Sequence, residues 1–164
     1  MIILSFDVGV KNLAYCLIDS ITKDILDWNI IDCTSSNLIL KLITELDSLN
    51  HLLESELILI EKQPSFNPKM RIMSTAIFVY FTLRINHERN KNIKIFYYSA
   101  KHKLKLCEVK LDKPCKTKYA NNKKIAIEQT KILLNGNPFL NYFLSYKKKD
   151  DLADCYLQAL SYIK

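Results

Sequence analysis

Glycine is almost missing from this chain: two of 164 residues, Gly9 and Gly136, with four prolines and a single tryptophan, Trp28. No internal repeat appears, and no Pro/Gly-rich linker is long enough to divide the sequence, so one domain over residues 1–164 is expected. No apolar run approaches the ~20 residues that cross a bilayer, which excludes a helical membrane protein. The opening MIILSF reads as a strand, with neither a basic leader nor a small-residue cleavage site, so an intracellular protein with no membrane partner is expected. The cysteines (16, 33, 107, 115 and 155) include no CxxC pair and no histidine at zinc spacing. Their odd number argues for buried thiols and against a disulfide framework. Acidic residues are also in deficit, 17 against 24 Lys and Arg, for a formal net charge of +7. The excess is concentrated: from Lys101 to Lys131 there are ten lysines against Glu108, Asp112 and Glu128. Such clustering is the footprint of a polyanion binder, because each phosphate neutralised releases counterions. A merely solvated basic surface has the same composition, and charge alone does not choose between them.

What is present is a sequence of alternating apolar patterns. Met1 to Val8 reads as a strand, Leu13 to Ile18 as a second joined to it through the tight Val8–Lys11 connection, and Ile25 to Asp32 as a third. Thr34–Asn37 is a run of helix-capping types, and behind it Leu38, Leu42, Leu46 and Leu49 recur at helical spacing to about Asn50. Leu57–Ile60 is a short continuous apolar run, as a central strand covered on both faces requires. After the loop EKQPSFNP a second helix is expected from about Lys69 to His87, then a fifth strand over Ile93–Tyr98. Ser99–Tyr119 shows no clean period and is expected to be irregular. Asn121–Leu134 reads as a helix with Gly136 at its C-cap, and Asp150–Ile163 as the last helix, with Ala153, Tyr156, Leu160 and Ile163 along one stripe. The order βββαβαβαα implies an α/β protein: a mixed five-stranded sheet, three antiparallel strands and then parallel ones, with helices on both faces. This is the ribonuclease H-like arrangement.

Four carboxylates occupy places where carboxylates are costly. Asp7 lies inside the first strand, and Glu61 stands at the carboxyl end of the fourth. Asp151 and Asp154 are three apart near the start of the last helix and share a face; Asp150 is four before Asp154 and is an alternative to Asp151. Each alone has a bland role as a turn former, strand-end charge or helix cap. Brought within ~4–6 Å of one another they repel and raise each other's pKa values, a penalty that a divalent cation removes. Oxygen-only ligands select Mg²⁺ or Mn²⁺ over zinc, and two such ions suit an in-line phosphoryl displacement.

The elements DVGVKN at Asp7–Asn12, IEKQ at Ile60–Gln63 and KKDDLAD at Lys148–Asp154 together resemble the RuvC-like Holliday junction resolvases, in particular the poxvirus branch. The fungal mitochondrial resolvases share the D-x-G-x-K-N element. The resemblance spans essentially the whole chain, and its specificity lies in the ordered set. It implies a ribonuclease H-like fold and a homodimeric, Mg²⁺- or Mn²⁺-dependent endonuclease with two ions per active site. Such an enzyme cuts four-way DNA junctions by paired symmetrical nicks, in poxviruses to resolve genome concatemers. A poxviral member would work at replication sites in the host cytoplasm and could be packaged in the virion.

Carried over by motif, the metal ligands are Asp7, Glu61, Asp151 and Asp154. The family's basic residues near the scissile phosphate fall on Lys103 or Lys105 and on Lys123 or Lys124, the register leaving both pairs open; Lys103 and Lys123 are taken as catalytic. Lys11, Lys101, Lys105, Lys124 and Phe66 are candidate DNA contacts. Phe66 either stacks on an unpaired base or tucks against the neighbouring helix. Two departures from the bacterial pattern are the scarcity of glycine around the first hairpin, where Ala14 sits, and the poorly matching Lys101–Tyr119 segment. The second helix, RIMSTAIFVYFTLRI, is apolar over most of its circumference, which fits either a dimer surface or burial within one subunit. Two other readings of the same residues are a nuclease for flaps or RNA–DNA hybrids and a catalytically silent nucleic-acid binder.

Overall fold

The computed structural model describes residues 1–111, 113 and 115–164. Five strands form one sheet in the order β3-β2-β1-β4-β5. β1 (Ile2–Asp7), β2 (Leu13–Asp19) and β3 (Ile25–Ile31) are an antiparallel meander, while β4 (Leu57–Glu61) and β5 (Lys94–Tyr98) run parallel to β1. This is the mixed sheet the hydrophobic patterns predict. The β1–β2 turn is tight enough to demand glycine: a Cβ on Gly9 would lie 2.6 Å from the Asn12 carbonyl oxygen.

Alternation along the central strands divides the core in two. Leu4, Phe6, Val8, Ile58 and Ile60 face α1 (Leu38–Ser48) and α2 (Pro68–Phe81), packing with Leu42, Leu46, Met73, Ile77 and Phe81. Ile3, Leu57, Leu59 and Trp28 face the opposite side, against Phe143 of α5 (Phe139–Ser145) and Leu152, Ala153, Cys155 and Tyr156 of α6 (Lys149–Ile163). β1 and β4 are therefore covered on both faces, which explains their nearly unbroken apolar sequences. The same parity puts Asp7 and Glu61 on the α6 side with Ile3 and Leu59. Phe6 pairs with Ile60 across the parallel β1–β4 ladder, so the two acids follow side by side at its carboxyl end.

Several boundaries differ from the sequence expectations, each for a local reason. The first helix ends at Ser48, and the chain makes a separate 3₁₀ turn over Asn50–Glu54. The second begins at Pro68, preset for a first helical turn, and continues past Phe81 as a wide π turn over Thr82–His87. Ser99–Tyr119 is not irregular throughout: α3 (Lys101–Leu104) lies within it, too short for a visible period, while Asp112 and Pro114 of that stretch fall outside the described residues. α4 (Lys118–Leu133) starts three residues before the expected Asn121, because the Thr117 hydroxyl caps it by accepting from the Ala120 amide. α5 was not expected at all; its seven residues, FLNYFLS, are mostly apolar and too few to show a clear helical period, with Asn141 and Ser145 on its exposed face. Gly136, two residues past the α4 cap, takes the positive φ of +78° that ends the helix sharply. α6 buries far more than one stripe: Leu152, Ala153 and every residue from Cys155 to Ala159 are buried, whereas Leu160 and Ile163 are only partly so.

All five cysteines are free thiols, with Cys16, Cys33 and Cys155 buried as the composition implies. No helix of the described residues is long and apolar enough to cross a membrane.

Candidate active site

Asp7, Glu61 and Asp154 meet in a cleft of about 390 Å³ at the carboxyl end of β1 and β4, whose walls also include Lys101, Lys103, Tyr119, Lys123 and Asp151. Two strand ends and one helix deliver the acids. Lys103, from the short α3, stands among them with its Nζ 2.9 Å from Glu61 Oε1 and 2.8 Å from Asp154 Oδ2.

Electrostatic strain is concentrated here. Burial, together with the negative charge of Glu61, holds the Asp7 carboxyl well above the usual carboxylate range. Burial pushes Glu61 up as well, but its hydrogen bond with Asp7 and the Lys103 ammonium outweigh that and hold it below its ordinary value. The adjoining acids are thus driven apart in pKa, Asp7 upward and Glu61 downward, by burial, mutual charge and Lys103. Asp154 is raised by burial against the opposing pull of Lys103. Asp151 is pushed up to about 6, first by burial and then by the neighbouring charge of Asp150. Lys103 keeps its proton firmly: burial opposes its charge, and Asp154, Glu61 and Asp7 more than offset that. Perturbed groups of both signs in one cleft are the pattern of a functional site.

Supporting contacts fix the acids in place. The Gln63 amide donates to Glu61 at its backbone carbonyl (3.1 Å) and Oε2 (3.3 Å). Gln158, one turn past Asp154 on α6 and almost fully buried, donates from Nε2 to Ser5 Oγ (2.9 Å) and to the Phe6 carbonyl (3.1 Å). It therefore ties the helix that carries Asp154 to the strand residue preceding Asp7. Sequence reasoning missed Gln158 and Tyr119, and left Gln63 without a role. Spacing could have found Gln158, since a polar residue four after Asp154 shares its face of the helix.

The alternative basic residues occupy different places. Lys103 is in the site, whereas Lys105 is exposed and outside the cleft. Lys123 lines the cleft, its ammonium 4.9 Å from the centre of the Tyr119 ring and hydrogen-bonded to Asp150. Lys124, the next residue around α4, is exposed and faces a separate groove with Lys110 and Lys113. Asp150 is occupied by Lys123, and Asp151 faces the cleft instead, as the motif implies. Lys101 lines the cleft as well; Lys11 is exposed and outside it. Phe66 does not tuck against a helix: it is 84% exposed, beside Asn67, whose side chain caps α2.

The donor set, carboxylate oxygens only, suits a hard divalent cation. With the side chains as they stand, however, no three His, Cys, Asp or Glu among the described residues are grouped to hold an ion. Lys103 lies between Glu61 and Asp154, and a cation binding both would have to take its place.

Known proteins share this architecture. The fowlpox virus resolvase, solved with its substrate Holliday junction DNA, superimposes with a TM-score of 0.66 at 23% identity, over 99% of this chain and 97% of that one. The yeast mitochondrial Holliday junction resolvase gives 0.66 at 19% identity, over 98% and 78%. An uncharacterized protein of Acanthamoeba polyphaga mimivirus is 39% identical over 137 residues, 75% of this chain. The chain spans about a third of that relative's length (33%). The family model described as Poxvirus A22 protein matches residues 1–164, sheet, cleft and acidic cluster included, and the chain belongs to that family.

Proposed function

We propose that this protein is a structure-selective DNA endonuclease that resolves four-way junctions by paired nicks. The observation that carries the reading is the meeting of Asp7, Glu61 and Asp154 from three elements in one lysine-lined cleft, within a Poxvirus A22 family chain. A mere nucleic-acid binder would gain from losing negative charge beside a phosphate, so three acids held there against their own repulsion favour catalysis.

Asp7, Glu61, Asp154 and Asp151 are the residues that would hold divalent cations. Bound there, Mg²⁺ or Mn²⁺ would acidify the attacking water and neutralise the departing 3′ oxygen, giving a 5′ phosphate and a 3′ hydroxyl. The chain's own residues do the rest. Lys101, Lys103 and Lys123 line one cleft and place positive charge along a bound phosphodiester. Gln63 fixes the Glu61 rotamer. Gln158 keeps α6 in register with β1, so the acids approach the phosphate from fixed directions. A nicking assay on a synthetic four-way junction, with and without Mg²⁺ and beside a linear duplex and an RNA–DNA hybrid, tests the reading. Preferential, metal-dependent junction nicking is expected. Equal cleavage of the hybrid would move the assignment to a ribonuclease H-like enzyme of other specificity.

Phe66 is the candidate junction probe. A base stacked on an exposed aromatic is worth about 1–3 kcal/mol, so Phe66→Ala should lower junction cleavage by roughly 5- to 150-fold while leaving Mn²⁺ binding unchanged. Unchanged cleavage of every substrate would remove Phe66 from the site.

Two active sites related by a two-fold axis match the symmetry of a junction, and the surface of α1 and α2 supports such a dimer. Ile72, Val79 and Leu83 are about half exposed along the second helix, beside Ile39 and Ile43 of the first. Arg84 borders this strip, bound to Asp47 at 2.8 Å and Glu88 at 3.0 Å. A contiguous apolar strip with a charged rim is what a subunit interface requires. Val79→Glu should weaken self-association at least ~10-fold in sedimentation equilibrium and turn paired nicks into single ones. A variant that stays dimeric would place the interface elsewhere.

A further inference from the structure

Lys103 is buried, and lysine seldom is unless its charge is used. Its ammonium bridges Glu61 of β4 and Asp154 of α6 at less than 3 Å from each, with the side chain only 9% exposed. The Gln63 amide reaches Glu61 alone, and Gln158 holds the backbone of α6 and β1 but touches neither carboxylate. Lys103 is thus what links the charged groups themselves. A compact cation bridging two carboxylates in this way occupies the point that a divalent ion ligated by both would need, and two cations cannot share it.

We infer that Lys103 is an internal counter-ion: it holds the acidic cluster together in the metal-free protein, and an entering divalent cation displaces its ammonium from Glu61 and Asp154. The inference rests on the metal-dependent reading of this cleft and deepens it, because loading becomes an exchange of one cation for another. The metal-free fold then keeps its carboxylates in register without help, and the exchange lowers the apparent affinity for metal. The displaced ammonium remains on α3, whose Lys101 lines the same cleft, so it stays within reach of a bound phosphate.

The test uses the full chain without DNA and two readouts. Mn²⁺ titration followed by electron paramagnetic resonance compares wild type with Lys103→Met, and the variant is expected to bind about tenfold tighter. Peptide mass spectrometry after amine acylation compares wild type with and without Mn²⁺. Lys103 is expected to be protected without metal and labelled several-fold faster with it, relative to Lys124, which is exposed and outside the cleft. Saturating Mn²⁺ with Lys103 still protected overturns the inference and leaves metal dependence standing, as does a folded Lys103→Met that binds no tighter. A wild type that binds no Mn²⁺ overturns both. Should Lys103→Met fail to fold, the wild-type labelling decides alone.

Discussion

The expected result of Asp7→Asn is loss of the proposed junction cleavage, by ~10³-fold or more, equivalent to about 4 kcal/mol of transition-state stabilisation. The substitution leaves junction binding intact or tighter and makes the metal-free protein more resistant to heat. The three effects share one cause. Asp7 and Glu61 emerge side by side from adjacent parallel strands, and burial with like charge raises the Asp7 carboxyl well above its usual range, which favours its neutral form. Asparagine reproduces the shape of that neutral form without ever ionising. The metal-free fold therefore no longer carries a carboxyl group that must stay protonated, and its melting temperature rises by a few degrees. Asparagine sets no negative charge against the phosphate approaching the cleft, so binding is undiminished. What would be lost is an anionic oxygen for the proposed cation and, with it, the reaction; stability would be exchanged for activity, as at other sites built from mutually repelling groups. Nicking, gel-shift and thermal-melt measurements on one preparation check all three. Collapse of junction binding together with cutting would mean that Asp7 is a structural residue of β1 and that the chemistry lies elsewhere.

The centre of the sheet was legible in the sequence because β1, β2 and β4 bury both faces. LSF, LAYCLI and LILI have few other ways to hide their side chains; a carboxylate follows each, Asp7, Asp19 and Glu61, and Asp7 and Glu61 close the parallel pair at one end of the sheet. The motif spacing ranks Asp151 above Asp150, and the structure puts Asp151 on the cleft wall and Asp150 against Lys123. α3 and α5 were not legible. Four residues carry no period, and the seven of FLNYFLS make barely two turns, held in place by Phe143 against Trp28. Lys103 could not be told from Lys105 because both lie in one lysine-rich stretch. The choice depends on the turn of α3 toward α6, a tertiary fact with no local signal. Phe66 illustrates the opposite limit: the proline-bracketed loop was evident, but whether its aromatic faced solvent depended on how the Asn67 cap starts α2.

Trp28→Ala should be among the most destabilising single changes available, costing about 3–5 kcal/mol and lowering the melting temperature by on the order of 10 °C. Trp28 lies on β3, far in sequence from the acids, yet its ring stacks on Phe143 at 5.4 Å and 7° and packs against Tyr156 at 5.4 Å. Its Nε1 donates to the Leu152 carbonyl at 3.1 Å. Leu152 sits between Asp151 and Asp154, so this one side chain anchors the turn of α6 that presents both acids and braces α5 behind it. Truncation opens a cavity beneath that turn and frees it to tilt. Activity should fall further than the loss of folded protein explains, with Mn²⁺ binding weakened even at temperatures where circular dichroism shows a native fold. Trp28→Phe separates the two contributions: it keeps the stacking, gives up the indole donor, and should cost only about 1 kcal/mol, because the Leu152 carbonyl still has its place in the helix. If Trp28→Ala melts early but binds Mn²⁺ and cuts normally while folded, the acids are positioned without this anchor, and Gln158, bound to Ser5 and Phe6, is the contact that holds α6 in register.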